Sequence, residues 1–192
     1  MFALSPPAAR DERWDYAVLH AFCPKTGCAD GDSPSSGIVL GESGKLYGTT
    51  AGGGANFDSR CGQGCGVFYA LTPKGSSSPE KVRYNFCSLA DCADGAAPTG
   101  ALARDGSGNL YGVTVVGGGN DGDQFSAGGG TVYMMNGGKL HVLYSFCAQS
   151  GCTDGSYPDT GVTLDPAGDI FGATSSGGAH FQGGAIYELV PQ

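Results

Sequence analysis

Three aspartates stand at one place in three copies of one pattern. The copies are Cys23-x4-Cys28-x-Asp30-Gly31-x2-Pro34, Cys87-x4-Cys92-x-Asp94-Gly95-x2-Pro98 and Cys147-x4-Cys152-x-Asp154-Gly155-x2-Pro158. Carboxylates gathered at one rim suit Ca2+, which takes about six to eight oxygen ligands. Asp32 and Asp159 lie beside them and join the same candidate set. The run Asn120-Asp121-Gly122-Asp123-Gln124 alternates oxygen-bearing side chains and is a second calcium candidate, without the full EF-hand pattern. The competing reading is that Asp-Gly is a turn whose carboxylate caps backbone amides. Identical spacing in all three copies favours the turn.

A metal at such a rim would polarise a lactone or ester carbonyl and acidify a bound water. Asp94, Asp154 or His180 would then carry the proton, His180 from the short loop Ala179-His180-Phe181-Gln182. His20 and His141 read as strand residues. No Gly-x-Ser-x-Gly occurs, so a serine-hydrolase elbow is unsupported. Tyr47, Tyr111, Phe57, Phe125 and Phe181 are the aromatic candidates for substrate contact. Aromatic faces beside Asp and Asn equally suit a sugar.

These residues need a scaffold that repeats. Each Asp-Gly is followed by Leu46-Tyr47-Gly48-Thr49-Thr50, Leu110-Tyr111-Gly112-Val113-Thr114 or Ile170-Phe171-Gly172-Ala173-Thr174. The period, read from the Asp positions, is 64 and then 60 residues. In the second copy 99–104 reads as a strand, 105–109 as a turn rich in Gly and Asn, and 110–114 as the partner strand. A Gly-rich loop over 115–129 leads to strands 130–135 and 139–146. Four antiparallel strands per unit of this length make a propeller blade. The reading is all-β: a tail over 1–14, then one domain over 15–192. Its repeats run over 23–86, 87–146 and 147–192, with a spare outer strand over 16–22. A sandwich of hairpins does not account for the in-register repeat.

The chain has 192 residues, 36 of them Gly, and a formal net charge of −8. That balance argues against nucleic acid, whose phosphates need a basic face. No run approaches the roughly 18 apolar residues of a membrane span. Eight Cys is an even number. Zinc favours tighter pairs with further ligands nearby. The lone pairs Cys23/Cys28, Cys87/Cys92 and Cys147/Cys152, with Cys61/Cys65 as a fourth clip, read better as disulfides. Stable disulfides imply an oxidising compartment, hence a secreted, periplasmic or cell-surface location. Residues 1–14 show no signal-peptide pattern.

The elements Gly-Val-Phe-Tyr-Ala-Leu-Thr-Pro (66–73), Val-Leu-Tyr-Ser-Phe (142–146), Asp-Gly-x2-Pro, Ser-Gly-Asn-Leu-Tyr-Gly (107–112) and Thr-Thr-Ala-Gly-Gly-Gly (49–54) resemble the bacterial GloVer tandem repeat. The resemblance covers 15–190. It implies a propeller in an extracellular, often surface-anchored protein, and it implies no particular activity. The segment 37–50 is also similar to the opening of NHL and SMP-30-type propeller blades. SMP-30-type lactonases resemble the acidic arrangement, with an acid just before an inner strand. The Cys pairs and the small number of repeats depart from the GloVer pattern.

Closed propellers use about four to eight blades. Three blades predict a homodimer of three plus three, with strand 16–22 of each copy completing the other's third blade. The alternative is a piece of a longer propeller. The loops 23–36, 87–99 and 147–160 should open on the same face as the Gly-rich loops 51–65, 115–129 and 175–183. Length and variation on one rim of a rigid scaffold suit binding. Three functions follow: a Ca2+-dependent lactone or ester hydrolase at the channel mouth, a glycan-binding module, or a structural surface repeat. The first is preferred narrowly.

Overall fold

The computed structural model describes residues 1–6, 13–24, 26–73, 80–120, 127–180 and 183–191. Among the described residues thirteen strands are all antiparallel to their neighbours. β1 (Phe2–Ser5) and β2 (Asp15–Val18) form a hairpin. The first blade is β3 (Val39–Leu40), β4 (Leu46–Thr50), β5 (Val67–Leu71) and β6 (Glu80–Asn85), side by side in that order. The second is β7 (Ala96–Arg104), β8 (Leu110–Val116), β9 (Thr131–Asn136) and β10 (Lys139–Ser145). The third holds β11 (Thr163–Leu164), β12 (Ile170–Thr174) and β13 (Ala185–Leu189), with β13 at the sheet edge. The repeating propeller blade read from the sequence is therefore present. Part of the 1–14 segment is strand rather than tail, since β1 pairs with β2 from Phe2↔Val18 to Ser5↔Asp15.

The Leu-Tyr-Gly signature has a packing reason. Gly112 on β8 faces Tyr133 on β9, and a methyl group at Gly112 would sit 2.5 Å from the Tyr133 hydroxyl. Gly48 faces Tyr69 and Gly172 faces Tyr187 in the same way. The missing Cβ makes room for the hydroxyl end of a large ring on the neighbouring strand. That ring turns toward the preceding blade. Phe86, just past β6, meets Tyr133 with ring centroids 5.2 Å apart, and Phe146 meets Tyr187 at 5.0 Å. Alternate residues of the same strands face the other way. Phe68 packs toward the second blade, and Val132 packs with Val162 and Ile170 toward the third. The core is thus two apolar seams between blades.

The turns opposite the cysteine loops are held by a second set of aspartates. Asp105 accepts hydrogen bonds from the Ser107 and Asn109 amides, the Asn109 side chain at 2.7 Å and the Tyr111 hydroxyl at 3.0 Å. Asp165 accepts from the amides of Ala167, Gly168 and Asp169.

Filling the room beside Tyr133 should be costly. Gly112→Ala is expected to lower the stability of the full chain by about 1–3 kcal/mol, the usual range for overpacking. Urea unfolding measures it. Gly106→Ala, at a turn glycine with open space around its Cβ position, is the control and should change little.

Candidate functional site

The repeated cysteine loop is one hydrogen-bonded unit. In the second blade Cys87 and Cys92 are bridged, the Cys87 amide donates to the Gly95 carbonyl at 2.9 Å, and the Gly95 amide donates to the Cys92 carbonyl at 2.8 Å. Gly95 holds φ +86°, and its Cα packs against the Thr114 and Thr131 side chains, which leave no space for a Cβ. Asp94, 1% exposed, is thereby turned back into the loop. Its carboxylate accepts from the Tyr84 hydroxyl at 2.7 Å and from the Ser88 and Leu89 amides at 2.8 and 3.0 Å. Asp154 repeats this with the Tyr144 hydroxyl and the Ala148 and Gln149 amides. Asp30 repeats it with the Cys23 amide at 3.1 Å and His20 Nε2 at 3.1 Å, His20 standing where the other blades have tyrosine. Burial, then hydrogen bonding to Asp94, pushes the Tyr84 phenol up to about 12, and burial with Asp154 does the same for Tyr144.

The two loop families do share a face. The amides of Gly54, Gly118 and Gly178 in the Gly-rich loops donate to the carbonyls of Cys28, Cys92 and Cys152, each at 2.9 Å. All four cysteine pairs are disulfides, including Cys61–Cys65 in the first Gly-rich loop. That loop is pinned throughout. The Asn56 side chain donates to the Phe86 carbonyl at 2.9 Å, the Cys65 amide donates to the Asn56 carbonyl, and Arg60 pairs with Asp58. Between these fixed points Phe57 stands 63% exposed. Asn120 holds the corresponding place in the second blade, donating to the Ser145 and Phe146 carbonyls.

The remaining predicted residues scatter. Asp32 and Asp159 lie on the loop face, Asp32 accepting from the Ser33 amide. His180 is exposed there. Tyr47 and Tyr111 lie at the other end of the blades, lining clefts beside the short turns; Tyr47 stacks on Phe68. Asp121, Asp123, Phe125 and Phe181 fall outside the described residues. Among the described residues, no three carboxylates or imidazoles converge. The close groups of three, Cys61 with Cys65 and Cys87, and Asp58 with Cys87 and Cys92, consist mainly of bridged sulfurs.

The sequence reading did not single out Glu80. It pairs with Leu71, as Leu140 pairs with Met135 in the second blade, so an acid occupies an apolar register. Its Oε1 is buried without a hydrogen-bond partner among the described residues. Burial, and next the Asp30 charge, push its carboxyl up to about 7. Aligning the outer strands would have revealed it.

The chain belongs to a family of bacterial repeats: the model of the Gloeobacter/Verrucomicrobia repeat matches residues 4–192. A comparison with curated proteins finds no match. Among solved structures the chain is similar to a candidate gluconolactonase, at 19% identity and a TM-score of 0.39. The match covers 81% of this chain and 47% of that one, so the chain spans about half its length. Likeness at that level carries no activity across.

Two outcomes follow from this chemistry. Asp94 receives only donors, so Asp94→Asn turns an amide N–H toward another donor. It is expected to cost about 2–3 kcal/mol in urea unfolding, the range for charged, buried hydrogen bonds. Asp30→Asn, at a carboxylate that is only half-buried, should cost less.

Glu80 gives a pH signature. Its folded carboxyl binds its proton more tightly than the unfolded one, so stability should fall as pH rises from the ordinary glutamate range through about 7. Melting temperatures of the wild type and Glu80→Gln should therefore match below the ordinary glutamate range, separate as pH rises toward about 7 and stay apart above it, the variant being the more stable.

Proposed function

We propose that the chain is the ligand-binding unit of an exported propeller, and that it takes a glycan on the loop face against Phe57. One observation carries this reading: an aromatic ring is held open to solvent by a loop that a disulfide, an asparagine clamp and an ion pair all immobilise. A rigid, exposed ring offers an apolar face to a sugar without an ordering cost. The repeated aspartates are engaged in holding the loops, which leaves recognition to what the loops display. The four disulfides support export to an oxidising compartment.

A second reading, a Ca2+-dependent lactone or ester hydrolase, rests on Glu80. A carboxyl that titrates near neutrality, with a buried, unpartnered oxygen, is suited to moving a proton. In that reading Asp32, Asp159 and His180 remain the exposed metal and proton-transfer candidates.

The test is a polysaccharide array, followed by titration calorimetry with the best-bound oligosaccharide. Phe57→Ala should weaken binding about tenfold, the equivalent of one aromatic stacking contact, with melting unchanged. Equal binding by the variant would refute the site. Stoichiometric calcium in native mass spectra, with lactone turnover that EDTA abolishes and Glu80→Gln lacks, would establish the second reading instead.

A further inference from the structure

We infer that two copies of the chain close into one six-blade ring, with the Asp15–Val18 strand of each copy completing the third blade of the other. The two ends of the three-blade unit expose what its inner seams bury. Ile186 on β13 is 89% exposed, whereas its equivalents Phe68 and Val132 are at 2% and 0%. At the opposite end Ile38 is 45% exposed, whereas its equivalents Leu102 and Val162 are at 6% and 8%. The same apolar surface is covered twice and bare twice, so what covers it has the chemistry of a blade of this chain.

The N-terminal segment carries the register of an outer strand. Val18, Val82 and Val142 each stand five residues before the first cysteine of a pair. Val82 pairs with Tyr69, and Val142 with Tyr133. The same register sets Val18 opposite Tyr187 and Ala17 opposite Glu188 of a second copy. Residues just after β2 already act as the end of an outer strand. His20 bonds to Asp30 as Tyr84 does to Asp94, and the Phe22 ring lies 4.9 Å from Tyr69 as Phe86 lies from Tyr133. β2 pairs with β1 along one edge and, among the described residues, keeps the other free.

The backbone repeats the same junction. The Ala97 amide donates to Cys65 of the preceding blade at 3.0 Å, and the Tyr157 amide donates to Gly129 at 2.9 Å. Ser33 holds the same left-handed backbone, φ 54° against 52° and 55°, with its amide turned onto Asp32. The carbonyl equivalent to those of Cys65 and Gly129 in the third blade is that of Gly183. Ser33 of one copy therefore faces Gly183 of the other. The cleft between the second and third blades also fits. It measures about 750 Å³ against about 170 Å³ for its counterpart between the first and second. Leu189 lines the larger cleft, and Tyr16 of the second copy falls opposite Leu189. Two identical head-to-tail junctions related by a two-fold axis leave neither end of the three-blade unit bare.

Sedimentation and native mass spectrometry of the full chain test this. A dimer of twice 19.3 kDa is expected. Ile186→Asp should give a monomer with an unchanged circular dichroism spectrum, because that side chain is exposed in the single unit. Ala17→Cys combined with Glu188→Cys places two exposed positions opposite each other across the junction. It should yield a covalent dimer on a non-reducing gel, which neither single variant forms. A wild-type monomer, an open ladder of oligomers, or a dimer indifferent to both changes would overturn the proposal.

Discussion

One ring-on-backbone contact sets the architecture. Tyr133 is fully buried, sets its hydroxyl end over Gly112 of its own blade and meets Phe86 of the blade before it. The glycine sets how closely the ring approaches its own sheet. The phenylalanine sets where the next blade lies. Because Tyr69 and Tyr187 repeat the arrangement, the angle between blades is inherited from one triad of residues. Among the described residues the hydroxyls of all three tyrosines are buried without partners, and burial pushes the Tyr69 phenol up to about 12 and those of Tyr133 and Tyr187 higher still. Shape, not hydrogen bonding, selects these rings.

The cysteine loops solve a different problem. With 36 glycines, much of the chain offers little apolar surface to bury and loses much conformational freedom on folding. A disulfide over five residues limits the unfolded loop. The buried aspartate then gathers the loose amide groups of that loop and ties them to the outer strand through Tyr84 or Tyr144. Each loop is thus fastened to the blade before it as well as to its own. The seam between blades is apolar in its middle and polar at the loop face, where backbone bonds such as Ala97 to Cys65 take over.

What was legible in the sequence was whatever repeats. Asp-Gly, Leu-Tyr-Gly and the cysteine spacing located the blades, because each is a backbone requirement that tolerates few residues. The strands over 110–114 and 139–146 were placed nearly as found, since Gly and Asn turns bound them. The partners of Asp94 were not legible. They come from residues six and five positions earlier and from a tyrosine ten earlier, a pattern that appears only once the loop is folded back. Asp105 was read only as part of a turn and Asp165 was not singled out, because local capping leaves no long-range spacing. Glu80 was missed for the opposite reason: its meaning lies in departing from the repeat. β1 escaped because a four-residue strand with one partner has almost no periodic signal.

A scaffold fastened this way separates constancy from variation. The loop that carries Asp94 cannot change without releasing a buried carboxylate, so it is unsuited to evolving specificity. The Gly-rich loops share an anchor at their first turn, at Gly54, Gly118 and Gly178, but differ in length: from Thr50 to Gly66 and from Thr114 to Gly130 the chain advances 16 positions, from Thr174 to Gly184 only 10. Within that freedom the first blade alone adds its own disulfide, Cys61–Cys65. The junction of the second and third blades forms without such a clip, through Gly129 and the Asn120 clamp. What the clip does fix is the loop that displays Phe57. A constraint absent from the other repeats, placed beside an exposed aromatic ring, is what the proposed recognition at that loop rests on.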